Sequence, residues 1–166
     1  MTQCNDARMA DFVVRPARID DAHAMAELTS RVAEERDGIA TEPPVDVEER
    51  AAVFAGGTPS TLLVVAADQV VGMLHIELSR FGSGELGMAV ARDWRGRGVG
   101  AALVAAAIDW ARAEGLHKLC LEVFPHNEAA LALYRKFDFL EEGRRVKQIR
   151  RANGELWDSI VMGLLL

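Results

Sequence analysis

The sequence predicts an α/β (α+β) fold: a mixed, mostly antiparallel central sheet of about seven strands, one parallel crossover at its centre, and about four helices on its faces. Three observations lead there. Strand-length apolar runs and helical periodicities follow one another as β α α β β β α β α β β, unlike the strict alternation of a doubly wound sheet. Short connections at Asp68-Gln69 and Asn153-Gly154 mark antiparallel hairpins. An apolar strand, a glycine-rich turn, an apolar helix and a second apolar strand, from Leu86 to Val123, form the right-handed crossover that a parallel pair requires.

Residues 1–10 are polar and without periodicity, which predicts a flexible tail, and 11–166 is enough chain for a single domain with its own core. Phe12–Pro16 reads as a short strand stopped by proline. Asp20 or Asp21 can cap the next helix, in which Ala22, Met25, Ala26, Thr29, Val32 and Ala33 recur at helical spacing. Gly38–Asp46, with two adjacent prolines, is a loop. A second helix covers Val47–Ala55 and ends at Gly56-Gly57. Thr61–Ala67 and Val70–Leu78 are β-rich runs, and Phe81–Gly84 turns into the central strand Leu86–Val90. The long helix that follows places Val99, Leu103, Ala106 and Trp110 on one face and ends at Gly115. Lys118–Val123 is the parallel partner strand. Ala130, Leu133, Tyr134 and Phe137 share a face of the next helix. Phe139–Gln148 and Leu156–Leu165 form the last antiparallel pair.

Composition narrows the classes of function. Half of the 166 residues are hydrophobic and 27% are charged, the balance of a globular protein. No apolar run approaches the roughly 18 residues of a membrane span, and no signal pattern opens the chain. The net charge of −6 disfavours nucleic acid as a partner, and the basic run Arg144–Arg151 lacks interleaved aromatics. Cys4 and Cys120 are ill placed to pair, which fits a reducing cytoplasm; Cys120 reads as a small core residue.

The chemistry centres on Arg95-Gly96-Arg97-Gly98-Val99-Gly100-Ala101, between strand and helix. Backbone N–H groups at such a turn have no intrahelical partner and lie at the positive end of the helix dipole. Missing Cβ atoms let an anion approach, and two arginines add charge, so the segment reads as a pyrophosphate cradle. It lacks the Gly-Lys-Ser/Thr ending of a Walker A loop. Gly96, Gly98 and Ala101, with Glu122 about 20 residues on, match the dinucleotide fingerprint, but five residues separate that first glycine from the strand and too little chain follows for a doubly wound sheet. A nicotinamide-dependent oxidoreductase therefore ranks last.

The alternative spelling, Arg-x-x-Gly-x-Gly at Arg95, Gly98 and Gly100, continues into the strand Lys118–Val123, Asn127, Ala130 and Tyr134. From Glu85 to Gly143 the chain resembles the core of the GCN5-related N-acetyltransferase (GNAT) superfamily. It departs at Asp138-Phe139, where the family usually has Gly-Phe; Asp tolerates the left-handed conformation better than most residues. The terminal segment Asn153-Gly154-Glu155…Asp158…Met162 also resembles bacterial amino-acid and phosphinothricin N-acetyltransferases.

The resemblance implies acetyl-CoA as cosubstrate and no metal. Its diphosphate would lie on Arg95–Ala101, its pantetheine arm along Met88, Ala89 and Val90, with Asn127 bonding that arm and Tyr134 donating a proton to the sulfur. The base that accepts the amine proton is open among Glu85, His75, Glu77 and Glu122, with Glu85 placed first; a water chain could serve instead. The loop Asp37–Asp46 is acidic and the last hairpin is basic, and both flank the acceptor site in the resembling fold; together they suit an amino acid or a peptide N-terminus. The expected activity is N-acetylation of a small-molecule amine, an amino acid or an antibiotic-like amine. Acetylation of a protein α-amine or lysine is the runner-up, and an acyl-CoA-binding module without turnover represents a different class. Exposed strands in the last hairpin predict a homodimer.

Overall fold

The computed structural model describes residues 12–56, 61–66 and 68–166. The predicted tail at 1–10, together with Cys4, Gly57 and Ala67, lies outside them. The strands are β1 (Val13–Pro16), β2 (Thr61–Ala66), β3 (Gln69–Leu78), β4 (Ser83–Val90), β5 (Lys118–Val123), β6 (Leu140–Arg150) and β7 (Leu156–Leu165); the helices are α1 (Ala22–Ala33), α2 (Val47–Ala55), α3 (Val99–Ala113) and α4 (Glu128–Lys136). The sheet order is β1-β2-β3-β4-β5-β7-β6, with every neighbouring pair antiparallel except β4 and β5.

Alternation along the strands sends side chains into two cores, one on each face. Leu74 and Ile76 of β3, Leu86 of β4 and Leu119 and Leu121 of β5 pack with Leu103, Val104 and Ala107 of α3 and with Leu131 and Tyr134 of α4. On the other face Met73 and Ala89 pack with Met25, Leu28 and Val32 of α1. A fully buried aliphatic side chain contributes about 1.5–3 kcal/mol, so these two layers fix the relative positions of β3, β4 and β5.

Several boundaries differ from the sequence reading, each for a nameable reason. β4 begins at Ser83, because pairing with β3 carries it back to Gly84 opposite Leu78. Neither Asp20 nor Asp21 caps α1. A 3-10 turn at Ile19–Asp21 precedes it, and the Asp21 carboxylate turns back to accept from Arg15 and from the Arg18 N–H. The buried stripe of α3 is Val99, Leu103, Val104, Ala107, Ile108 and Ala111; Ala106 and Trp110 sit at its margin, since an all-round apolar helix leaves its facing direction to tertiary packing. Asp138 does adopt the left-handed conformation, at φ 64°.

Candidate active site

β4 and β5 pair over three positions only: Ser83 with Lys118, Gly84 with Leu119 and Glu85 with Cys120. Beyond Glu85, β4 follows β3 as far as Val90, while β5 follows β7 as far as Val123. The parallel pair therefore opens into a wedge. Ala91 N–H donates to the Val71 carbonyl at 2.9 Å, which sets the parity of the ladder. Ala89 faces Met73 and exchanges its backbone bonds with β3, whereas Met88 and Val90 turn theirs into the wedge. The Val90 carbonyl accepts from Arg95 Nε at 3.0 Å. The Met88 N–H and C=O and the Val90 N–H have no backbone partner among the described residues. Of the strand segment expected to hold an amide-rich arm, Met88 and Val90 present backbone groups and Ala89 presents none.

The glycine loop stands at the wide end of this wedge. Gly96 (φ 71°) and Gly98 (φ 86°) are left-handed, a conformation that glycine adopts without strain, and a Cβ at either would meet nothing within 4 Å. These two glycines are needed for backbone path and open approach. Gly100 is there for packing: a Cβ would lie 3.0 Å from Leu133 Cδ2. Gly98 is the N-cap of α3 and its carbonyl takes the Ala102 N–H, so the N–H groups of Val99, Gly100 and Ala101 have no intrahelical partner. The Val99 side chain is fully buried, so this residue can offer only its backbone to the loop.

The two loop arginines behave differently from one another. Arg97 places its guanidinium 4.1 Å from the centre of the Trp94 ring. Arg95 forms a bidentate pair with Glu35, at 2.7 and 2.9 Å, besides its bond to Val90. Its side chain ties the loop to the end of α1, and its backbone N–H donates to the Arg92 carbonyl at 3.2 Å. Glu35 was not legible as a partner, because the two residues are 60 positions apart and only folding brings them together.

Asn127 caps α4: its Oδ1 accepts the Ala130 N–H at 3.2 Å, which explains the Asn-x-x-Ala spacing and leaves the side-chain amide as a donor into the cleft. Two turns along α4, Tyr134 is buried against Phe139, with ring centroids 5.7 Å apart. Burial pushes its hydroxyl up to about 12, so it holds its proton throughout the neutral range. Both residues line one cleft of about 1320 Å3 that runs from the glycine loop past the wedge to α1 and α2.

On the α1 side of the sheet, His75, Glu77 and Glu85 line the same cleft. Glu77 pairs across the strands with Glu85, and His75 with Gly87. A Cβ at Gly87 would fall 2.4 Å from His75 Cε1, so this glycine is what lets the imidazole lie over β4. Burial pushes the His75 pKa below its ordinary value, with Glu77 and Glu85 pulling the other way. The Glu85 carboxylate has no hydrogen bond or ion pair among the described residues. Glu122 differs: Arg145 and Ser159 both bind its carboxylate. The Glu122 carboxylate is thus occupied by two partners, whereas that of Glu85 is open to the cleft.

The charged segments predicted to receive the acceptor are in large part partners of each other and of the fold. Arg151, only 3% exposed, donates to the carbonyls of Arg36, Ile39 and Ala40, pairs with Glu42, and stacks 4.3 Å from the centre of Trp157. His126 Nε2 lies 2.9 Å from the Asp37 carbonyl oxygen. These contacts pin residues 36–42 over the cleft. Arg144 pairs with Asp158, and Asp46 caps α2. No group of three or more His, Cys, Asp or Glu side chains among the described residues could hold a metal ion.

A left-handed glycine loop with open approach, unbonded helix N–H groups and an exposed strand edge in continuity fit a ligand that has a diphosphate at one end and amides along its arm. Acetyl-CoA has that construction. Comparison with known proteins leads to the same class, acyl-transfer enzymes. Residues 23–139 match the model of the acetyltransferase (GNAT) family, and the chain belongs to that family. The L-methionine sulfoximine/L-methionine sulfone acetyltransferase of Pseudomonas aeruginosa is 29% identical over 162 residues, covering 92% of this chain and 94% of the relative. The L-amino acid N-acetyltransferase AaaT of Escherichia coli is 29% identical over 164 residues, covering 93% and 98%. The structure of yncA from Salmonella typhimurium with its cofactor acetyl-CoA shares the fold, with a TM-score of 0.82 at 22% identity over 94% of each chain.

Proposed function

We propose that the chain, acting through residues 11–166 in the cytoplasm, transfers an acetyl group from acetyl-CoA to the primary amine of a small molecule, an amino acid or an antibiotic-like amine, by direct attack in a ternary complex. The observation that carries this reading is the wedge between β4 and β5 with the glycine loop at its mouth. The relatives whose names specify amino-acid substrates support the choice of acceptor. When bound, acetyl-CoA supplies the activated acetyl thioester. Backbone N–H groups of Gly96, Arg97, Gly98, Val99, Gly100 and Ala101 hold its diphosphate, while Met88 and Val90 pair with the amide arm and the Asn127 amide supports it. A β4 N–H serves the carbonyl oxygen on which negative charge develops. Glu85 takes the proton from the incoming ammonium, and Tyr134 gives one to the departing sulfur.

The test is thiol release from acetyl-CoA against a broad panel of amines, paired with calorimetry of acetyl-CoA binding. Expected are saturable binding and release with at least one amino acid. Binding without release to any amine would leave an acyl-CoA-binding module, and absence of binding would remove the reading altogether. The active species is proposed to be a homodimer formed through the exposed last hairpin.

A further inference from the structure

We propose that Arg50 of α2 anchors the carboxylate of the acceptor, so that the cleft selects amines bearing both a carboxylate and an apolar side chain, the class of free α-amino acids. This rests on the N-acetyltransferase reading and narrows it. Arg50, Val53 and Phe54 lie at i, i+3 and i+4, hence on one stripe of α2, and all three line the cleft. No residue of α2 is fully buried: Val53 is 65% exposed on the cleft, while Phe54 packs against the core of Met25 and Met73 and presents the rest of its ring to the cleft.

The two arginines that line the cleft differ. Arg95 pairs with Glu35, whereas the Arg50 side chain has no hydrogen bond or ion pair among the described residues. No described residue holds it, although it is half-buried and its helix is fixed beside α1. The sheet wall of the same cleft carries the opposite sign, in Glu77 and Glu85. Glu122 adds little to that wall because Arg145 neutralises it. The acceptor end thus has a carboxylate floor, a guanidinium on the helical wall, and Met25, Met73 and Phe54 as apolar surface between them.

A zwitterion with an apolar side chain satisfies all three surfaces. A polyamine would bring a second cation towards Arg50, and a peptide N-terminus carries an amide where the carboxylate belongs. A charge-assisted bond lost from such a site costs about 10- to 100-fold in binding.

The experiment compares L-methionine, L-leucine and L-phenylalanine with their carboxamides, using wild type, Arg50→Gln and Arg50→Lys. Thiol release gives kcat/KM, and ligand-observed NMR gives binding of the N-acetylated acids and carboxamides. Wild type should favour the acid at least about tenfold in both readouts. Arg50→Gln should bring the acid down to the level of its carboxamide, and Arg50→Lys should keep part of the preference. Equal use of acid and carboxamide by wild type, or equal losses for both in Arg50→Gln, would overturn the assignment. If no amine releases thiol, the acetyltransfer reading fails by itself; the NMR comparison still decides whether Arg50 reads a carboxylate.

Discussion

Tyr134 places a hydroxyl among apolar neighbours, and that setting decides what it can do. With its pKa pushed up to about 12 by burial, it is a proton donor at every physiological pH and not a base. Tyr134→Phe removes the hydroxyl and keeps the ring against Phe139. Its kcat should fall by about 10²-fold or more while acetyl-CoA affinity stays within about twofold, because general-acid catalysis is worth about 10²–10⁴-fold. Unchanged turnover would exclude the role. The same shift has a consequence for stability. The folded-state pKa lies above the ordinary tyrosine value of 10.0, so the native state holds this proton longer than the unfolded chain does. The contribution is complete below about pH 10 and lost as pH rises towards 12; the wild-type melting temperature should fall more steeply than that of Tyr134→Phe across that window. At this scale the sequence was legible where backbone conformation alone decides, as at Gly115 ending α3 and at Asp138 replacing a glycine, both left-handed; the caps were not, since Asp21 turns back to Arg15 and Asn127, expected to bond the cosubstrate's arm, also caps α4. It was silent on Arg151, whose position in a basic run gave no sign that it is buried with four loop residues as partners.

Between elements, the Arg95 side chain is the join that local pattern could not reveal. Its guanidinium ties the end of β4, through Val90, to Glu35 just beyond α1, and so sets the angle at which the glycine loop enters α3. A partly exposed ion pair adds only about 0–1 kcal/mol to stability, so its value lies in orientation. Glu35→Gln should leave the melting temperature within a few degrees of wild type and kcat nearly unchanged. It should raise KM for acetyl-CoA about tenfold through misplacement of the loop N–H groups, and Glu35→Asp should restore part of this. A fall in kcat with KM unchanged would show that the pair serves the acceptor side instead. The parallel crossover that holds the wedge was legible in the strand–loop–helix order, but the place where the pair parts was not. Register fixes it after Glu85, and register depends on which of two neighbours, β3 or β7, each strand follows.

Across the molecule, the strand order leaves β6 at one margin of the sheet, and β6 is exposed almost along its entire length. Leu140 and Val146 on it are 72% and 70% exposed, and Leu165 of neighbouring β7 is 76% exposed. A long edge strand with apolar side chains and unpaired N–H and C=O groups is a template for pairing, and natural proteins cover or blunt such edges. Here the blunting is partial. Between Arg145 and Ile149 the register slips, and Lys147 takes φ 52° while its N–H donates to Asp158, which bends the strand without covering it. A second copy of the chain would cover the remainder, and a stable interface would bury at least about 1,000 Å2 in total. Light scattering across a range of protein concentrations should therefore give twice the chain mass of 18.1 kDa. Val146→Lys places a charge in the middle of that edge, on a side chain with no part in either core, so it should shift the protein towards monomer without lowering the melting temperature of the monomer itself. Monomeric wild type at every concentration would mean that the β6 edge stays open. Since β6 also carries Arg145, whose carboxylate partner Glu122 lines the cleft, loss of the dimer should be accompanied by a higher KM for the acceptor and an unchanged KM for acetyl-CoA.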